Sequence, residues 1–346
     1  MKPVKKIGVL TGGGDCPGLN AAIRAVVRRA NACGYEVIGI KRGWHGLIYG
    51  ETEPLTNFSV SGILHVGGTI LGTSRTNPFK KEEDLQRLLA NNKKFGIDAL
   101  IAIGGEDTLG VASKLSEKGI PIVGIPKTID NDLSGTDFTF GFDTAISIVT
   151  DAIDRLHSTA ESHDRIMVVE VMGRHTGWIA TFGGIAGGAD IILIPEVPFD
   201  IEEVCAMIKN RHERGKNFSI IIVAEGAKPK DVDKYITASD QVDEFGHIKL
   251  GGVGNFLGTQ IEKLTGYDTR VTVLGHIQRG GSPTASDRVL ATRFGVAAVD
   301  LIKEGKFGKM VALQCNKIVD IDLSEAVKKI KTVDPELYEI AKVFFG

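Results

Sequence analysis

The feature that most constrains this chain is a repeated unit: a short unbroken apolar run, a glycine-rich or acidic turn, then a segment with apolar residues at helical spacing. The first instance is "KIGVL" at 6–10, followed by "TGGGDCPG" and then "LNAAIRAVVRRANACG". There Leu19, Ala22, Ile23, Val26, Val27 and Ala30 share one helical face, and Gly34 marks a stop. The order returns in "DALIAI" (98–103), "GGED" and the helix expected at 108–118. Further strands are expected at 35–40, 120–125, 165–171, 190–194, 219–226, 270–275 and 309–314, and helices at 143–160, 177–188, 201–214, 254–265 and 284–304. Runs that are apolar on both faces belong to parallel strands covered by helices on each side. The prediction is an α/β fold with mostly parallel sheets. The strands outnumber what one compact sheet would hold, so two α/β domains are expected, with a break near residue 140. In such sheets ligands sit at the carboxyl ends of the strands.

Composition narrows the function classes. A length of 346 residues suits two domains, each of roughly 100–200 residues. A net charge of −2 offers no field for nucleic acid or an anionic membrane. Any anionic ligand must then be held by locally clustered cations. The opening "MKPVKKIGVL" lacks the long apolar stretch and cleavage site of a signal peptide, and no apolar run approaches a membrane span. Cys16, Cys33, Cys205 and Cys315 show no CxxC spacing, which argues against structural zinc and fits a reducing compartment. A cytoplasmic protein is expected. The 43 glycines cluster at the ends of apolar runs, where tight turns and close backbone approach are needed.

Three turns carry candidate chemistry. "TGGGDCPG" (11–18) offers backbone N–H groups and a helix N-terminus to an anion, without the nicotinamide or Walker A pattern. A ligand-free turn explains it equally well in isolation. In "GGEDT" (104–108), Glu106 suits Mg²⁺, which takes one or two carboxylates beside water and phosphate oxygens. Both acids are equally at home in the first turn of a helix, favoured by its dipole. "PKTIDND" (126–132) crowds Thr128, Asp130 and Asp132 beside Lys127 after a strand expected to end at Pro126. Its two aspartates could divide metal binding and general-base work. Arg75, Arg165, Arg174, Arg270, His276 and Arg279 stand near glycines at loop edges, and arginine's fork suits phosphate. His163, His175 and His276 have no metal-ligand spacing.

With "GGEDT", "PKTIDND", "VMGRHTG" (171–177) and "GHIQRGG" (275–281) in this order, the chain resembles the 6-phosphofructokinase family over nearly its whole length. The resemblance implies two similar three-layer domains. One, 1–140 with 277–327, would bind the phosphoryl donor and Mg²⁺; the other, 141–276 with 328–346, would bind sugar phosphate. It implies phosphoryl transfer to the 1-hydroxyl of fructose 6-phosphate, with Asp130 as base. Thr128, Ile129, Asp132, Met172, Gly173, Arg174 and Glu225 would contact the sugar, His276 and Arg279 its 6-phosphate. Gly13, Gly14, Arg75, Gly105 and Thr108 match donor positions and Glu106 the metal position. Arg165 and Arg270 match arginines that the family lends to a neighbouring subunit, so a homodimer or homotetramer is implied. Arg24, Arg28 and Arg155 match effector-site positions, where Asn57 replaces an expected arginine.

The donor is read from two departures. ATP-using relatives typically carry glycine where this chain has Asp107 and Lys127. An aspartate puts a carboxylate where a nucleotide's α-phosphate would sit. Two like charges about 4 Å apart repel by roughly 4 kcal/mol at an effective dielectric near 20, about a thousandfold in affinity. Lys127 supplies a cation that can hold Asp107 and stabilise charge on a leaving phosphate. The pair resembles the pyrophosphate-dependent branch, for which a reversible reaction is implied; an ATP-dependent enzyme and a non-catalytic sugar-phosphate-binding protein are the alternatives. The segment 228–248 is longer than in short bacterial relatives and receives no role.

Overall fold

The continuous apolar runs form strands, and the strands collect into an eight-stranded sheet, a four-stranded sheet and a two-stranded hairpin. This computed structural model describes residues 4–230, 237–242, 244–246 and 248–345. They make two compact units. The first comprises Met1–Thr144, Asp243–Gly246 and Arg279–Ile330, and the second Ala145–Val242, His247–Gln278 and Lys331–Gly346.

In the first unit the strands run in the order Lys317–Asp322, Lys309–Gln314, Ile122–Thr128, Ala99–Gly104, Lys6–Thr11, Glu36–Ile40 and Thr52–Leu55, with Phe140–Gly141 pairing beside Ile122–Thr128. The five inner strands are parallel, and only the two edge strands run antiparallel. All six residues of Ala99–Gly104 are buried, as a central parallel strand demands. Leu100 and Ala102 pack with Leu109, Ala112 and Leu115 of the helix Glu106–Glu117 and with Leu85 and Leu88 of Glu82–Lys94. The helices Leu19–Ala32 and Ala285–Lys303 pack together.

Pro126 does not end its strand. The strand continues to Thr128, pairing Gly104 with Pro126 and then Lys127 with Phe140. A proline is tolerated because Lys309–Gln314 registers only against Val123 and Gly124, so one neighbour has already been lost at 126. The edge strand Thr52–Leu55 likewise carries Pro54.

In the second unit four parallel strands run in the order Thr269–Val273, Ile166–Val171, Ser219–Ala224 and Ile191–Leu193. Val168, Ile221 and Val223 pack with Val204 and Ile208 of the helix Ile201–Glu213 and with Leu257 and Ile261 of Val253–Thr265. The helix Pro335–Lys342, capped by Asp334, docks through a hydrogen bond from the Tyr338 hydroxyl to the Ile192 carbonyl (2.8 Å). Part of 228–248 forms an antiparallel pairing of Thr237–Val242 with Ile248–Leu250; residues 231–236, 243 and 247 of that stretch lie outside the described residues. Among the described residues no helix is long and apolar enough to cross a membrane.

Candidate active site

Three adjacent parallel strands of the first unit, Lys6–Thr11, Ala99–Gly104 and Ile122–Thr128, deliver the three predicted turns side by side. The Gly12 N–H donates to the Ile103 carbonyl (3.0 Å), which ties the first turn to the second. Gly13 donates to the Ser74 carbonyl (3.0 Å) and accepts from the Thr73 hydroxyl (2.5 Å). Thr108 is 3% exposed and wedged between turns: a Cβ on Gly12 would stand 2.5 Å from its Oγ1. Glycine at 12 is therefore a packing requirement.

The second turn becomes helix sooner than the sequence suggests. Gly105 is the cap and Glu106 the first helical residue, so Glu106 and Asp107 both occupy the first turn. Both are half-buried, at the end where the dipole favours negative charge. They open onto a cleft of about 560 Å³ that Asn77, Lys114, Phe245 and Lys328 also line. Glu244 accepts from the Asn77 N–H (3.2 Å), so part of the long segment of unassigned role contributes to this cleft. Arg75 is exposed.

Lys127 is 3% exposed, and its ammonium donates to the Gly14 carbonyl. A lysine ammonium carries three N–H donors, and this bond occupies one of them. Burial holds the Lys127 pKa below the ordinary lysine value; Arg279 pushes the same way, against Cys16, Asp130 and Asp15. Arg279 reaches the same turn, donating to the Asp15 carbonyl (3.2 Å). The predicted phosphate ligand Arg279 thus lies beside the predicted donor glycines. Cys16 is fully buried there, and burial pushes its thiol up to about 12, which leaves it inert at neutral pH.

The third turn is rigid. The Asp130 N–H donates to the Thr128 hydroxyl (3.0 Å), and the Thr139 hydroxyl donates to the Thr128 carbonyl (2.7 Å). Asn131 adopts a left-handed conformation (φ 52), which asparagine tolerates, and its Oδ1 accepts from the Thr139 N–H (3.1 Å). Asp130 and Asp132 are 3% and 8% exposed. Ile129 is fully buried beside Gly141, so it brings no side chain to the surface of the loop.

The second unit gathers Met172, Gly173, Arg174 and Glu225 at the carboxyl ends of Ile166–Val171 and Ser219–Ala224. The Arg174 N–H donates to the Glu225 carboxylate (3.0 Å), and the Met172 N–H to Gln278 Oε1 (3.3 Å). Gly173 has φ +153, and a Cβ there would stand 2.4 Å from the Thr176 carbonyl oxygen. Arg174 itself is left-handed (φ 53). A strained, doubly anchored turn of this kind holds its backbone in one fixed pose. His276 is exposed on the 3-10 turn Gly275–Arg279. Gln278, fully buried, is missing from the sequence-derived set although it lies within "GHIQRGG"; its burial has no local signature. Arg165 and Arg270 stand elsewhere, at the amino ends of Ile166–Val171 and Thr269–Val273.

Residues 6–302 match the family described as phosphofructokinase. The chain belongs to the phosphofructokinase family. It is 58% identical over 343 residues to the pyrophosphate–fructose 6-phosphate 1-phosphotransferase of Streptomyces coelicolor, covering 99% of this chain and 100% of that one. It is also 54% identical over 343 residues to the ATP-dependent 6-phosphofructokinase of Mycobacterium bovis, covering 99% and 100%. Among solved structures, the T-state phosphofructokinase of Pichia pastoris superposes with a TM-score of 0.84 at 34% identity, covering 99% of this chain and 37% of that longer one. Relatives carrying either donor in their names thus share most of this family member's sequence, and the donor has to be argued from the residues at the site.

Proposed function

We propose that the chain transfers a phosphoryl group from inorganic pyrophosphate to the 1-hydroxyl of fructose 6-phosphate. The products are fructose 1,6-bisphosphate and orthophosphate, in a reversible step of cytoplasmic glycolysis. The observation that carries the choice of donor is the Asp107 carboxylate, half-buried in the first turn of Glu106–Glu117. A nucleotide's α-phosphate would meet that carboxylate, and two like charges this close repel. Pyrophosphate has no third phosphate to be repelled.

Asp130 takes the proton of the sugar's 1-hydroxyl as that oxygen attacks the terminal phosphorus. The bond from phosphorus to the bridging oxygen breaks, and orthophosphate leaves with the bridging electron pair. The transition state is loose, so positioning and charge do most of the work. Lys127 and Arg279, both turned to residues 14–15, supply positive charge beside the donor glycines Gly13 and Gly14. Met172, Gly173, Arg174 and Glu225 hold the sugar, with His276 on its phosphate.

Mg²⁺ fits the donor set. Among the described residues no three or more His, Cys, Asp and Glu are grouped to cage a metal. A half-buried Glu106 on an open cleft suits an ion that keeps waters and takes phosphate oxygens for its other ligands. Glu106 would hold it, and the bound ion would neutralise charge on the donor.

The test is a donor assay with Mg²⁺ and fructose 6-phosphate: turnover with pyrophosphate and little with ATP is expected. Robust turnover with ATP and none with pyrophosphate would replace this reading with the ATP-dependent one.

A further inference from the structure

Arg165 and Arg270 leave the same edge of the second unit's sheet. Thr269 registers beside Ile166 and Arg270 beside Met167, so both arginines stand at the amino ends of paired parallel strands. The turn holding Met172 to Arg174 lies at the other end of the six-residue strand Ile166–Val171. That is about 20 Å at roughly 3.3 Å per residue, too far for these arginines to serve a phosphate held at that turn. A phosphate held by both arginines is therefore not one seated at that turn of the same chain, in keeping with the reading of them as ligands lent to a second copy.

One carboxylate joins them. Asp268 accepts from Arg165 Nε at 2.7 Å through Oδ2 and pairs with Arg270 Nη1 at 2.6 Å through Oδ1. The same Arg270 nitrogen donates to the Thr269 carbonyl (3.1 Å). The Asp268 carbonyl accepts from the Ile166 N–H (3.0 Å), which roots the carboxylate in the sheet. Two guanidiniums brought together repel, and each is borne on a long side chain with wide rotamer freedom. A carboxylate fixed between them removes both obstacles. Each guanidinium carries five N–H donors, so the forks keep donors for a second anion. The side chains of Arg165 and Arg270 are 28% and 53% exposed, open to such an anion.

We propose that Asp268 is a positioning residue, holding Arg165 and Arg270 as one preformed clip for the phosphate of fructose 6-phosphate bound to a second copy of the chain. This rests on the reading above of the two arginines as phosphate ligands. Asp268 itself touches no substrate. Its sign of action is open to measurement: a carboxylate that orders the arginines lowers the sugar-phosphate KM, whereas one that merely competes with phosphate raises it.

Steady-state kinetics on the full chain, at saturating levels of whichever donor supports turnover, decide the matter. Asp268→Asn is expected to raise the KM for fructose 6-phosphate about tenfold, the scale of losing preorganisation in two long side chains. Donor KM and kcat should stay within about twofold in the same variant, and Asp268→Glu should recover part of the loss. In an Arg165→Ala, Arg270→Ala background the Asp268→Asn change should add nothing. An unchanged or lowered KM in Asp268→Asn, with the arginine variants impaired, overturns the positioning role alone. Arginine variants with an unaltered KM overturn the assignment of the arginines and the role of Asp268 with it. A fall in kcat, both KM values and association state together, read by light scattering, marks a structural carboxylate and also overturns the proposal.

Discussion

The segment 127–132 and the helix start at 105–108 stand at the carboxyl ends of neighbouring strands of one sheet, yet they are built in opposite ways. The first is buried and cross-braced: Lys127 holds the Gly14 carbonyl, Thr128 takes the Asp130 N–H, and Asn131 is locked by Thr139. The second presents two half-buried acids to an open cleft. A group that must move a proton gains from a fixed position, since small displacements are costly in rate. A group that only admits or refuses a donor needs charge and a boundary, and an open helix terminus supplies both. On the proposed reading, chemistry and donor choice would be divided between these two turns of one sheet.

The largest effect that would sharpen this contrast is at Asp130. Asp130→Asn should lower kcat by about 10²–10⁴-fold, the usual range for a lost general base, with small changes in either KM. A loss confined to KM would break the catalytic side of the comparison. Next comes Asp107→Gly, which should improve ATP binding by up to about a thousandfold, the repulsion removed, while fructose 6-phosphate binding stays as it was. No gain in ATP affinity would show that the open helix start does not choose the donor.

Lys127→Met should lower kcat roughly 10²–10³-fold, as for loss of one preorganised charge donor. Because burial lowers the pKa of Lys127, wild-type activity should fall off on the alkaline side below the ordinary lysine range, and the variant should lack that limb. The smallest effect is on stability. Burial pushes the carboxyl of Asp287 up to about 6, against hydrogen bonds from the Thr144 N–H and hydroxyl. A raised pKa means that the folded state holds the proton more tightly, so this contribution is full below about pH 4 and is lost as pH rises through about 6. Moving from 3.8 to about 6 is about two units, or about 3 kcal/mol. The difference in unfolding free energy between wild type and Asp287→Asn should change by that order between pH 4 and 7, and a flat difference would show that burial of this carboxylate costs nothing.

Much of the fold was legible because its signals are local. Unbroken runs such as "ALIAI" can only be central strands, and helix faces such as Leu19, Ile23, Val26, Ala30 repeat at helical period. Other elements escaped for equally local reasons. The helix Glu82–Lys94 buries only Leu85, Leu88 and Asn92, too thin an apolar stripe to stand out, although acids in its first turn and lysines in its last were visible. The antiparallel strand Lys317–Asp322 has no fully buried residue and so lacks the apolar signature of the inner strands.

By itself, the sequence determined the alternation of strand, glycine turn and helix, and the placing of acids and glycines at strand carboxyl ends, because period and turn chemistry act over a few residues. Only the tertiary structure decided which side chains meet. Lys127 reaches Gly14 across 113 positions, Arg165 reaches Asp268 across 103, and Gln278 reaches Met172 across 106. Those meetings depend on strand order and register, which arise from burying whole faces at once and leave no mark on any single stretch of chain.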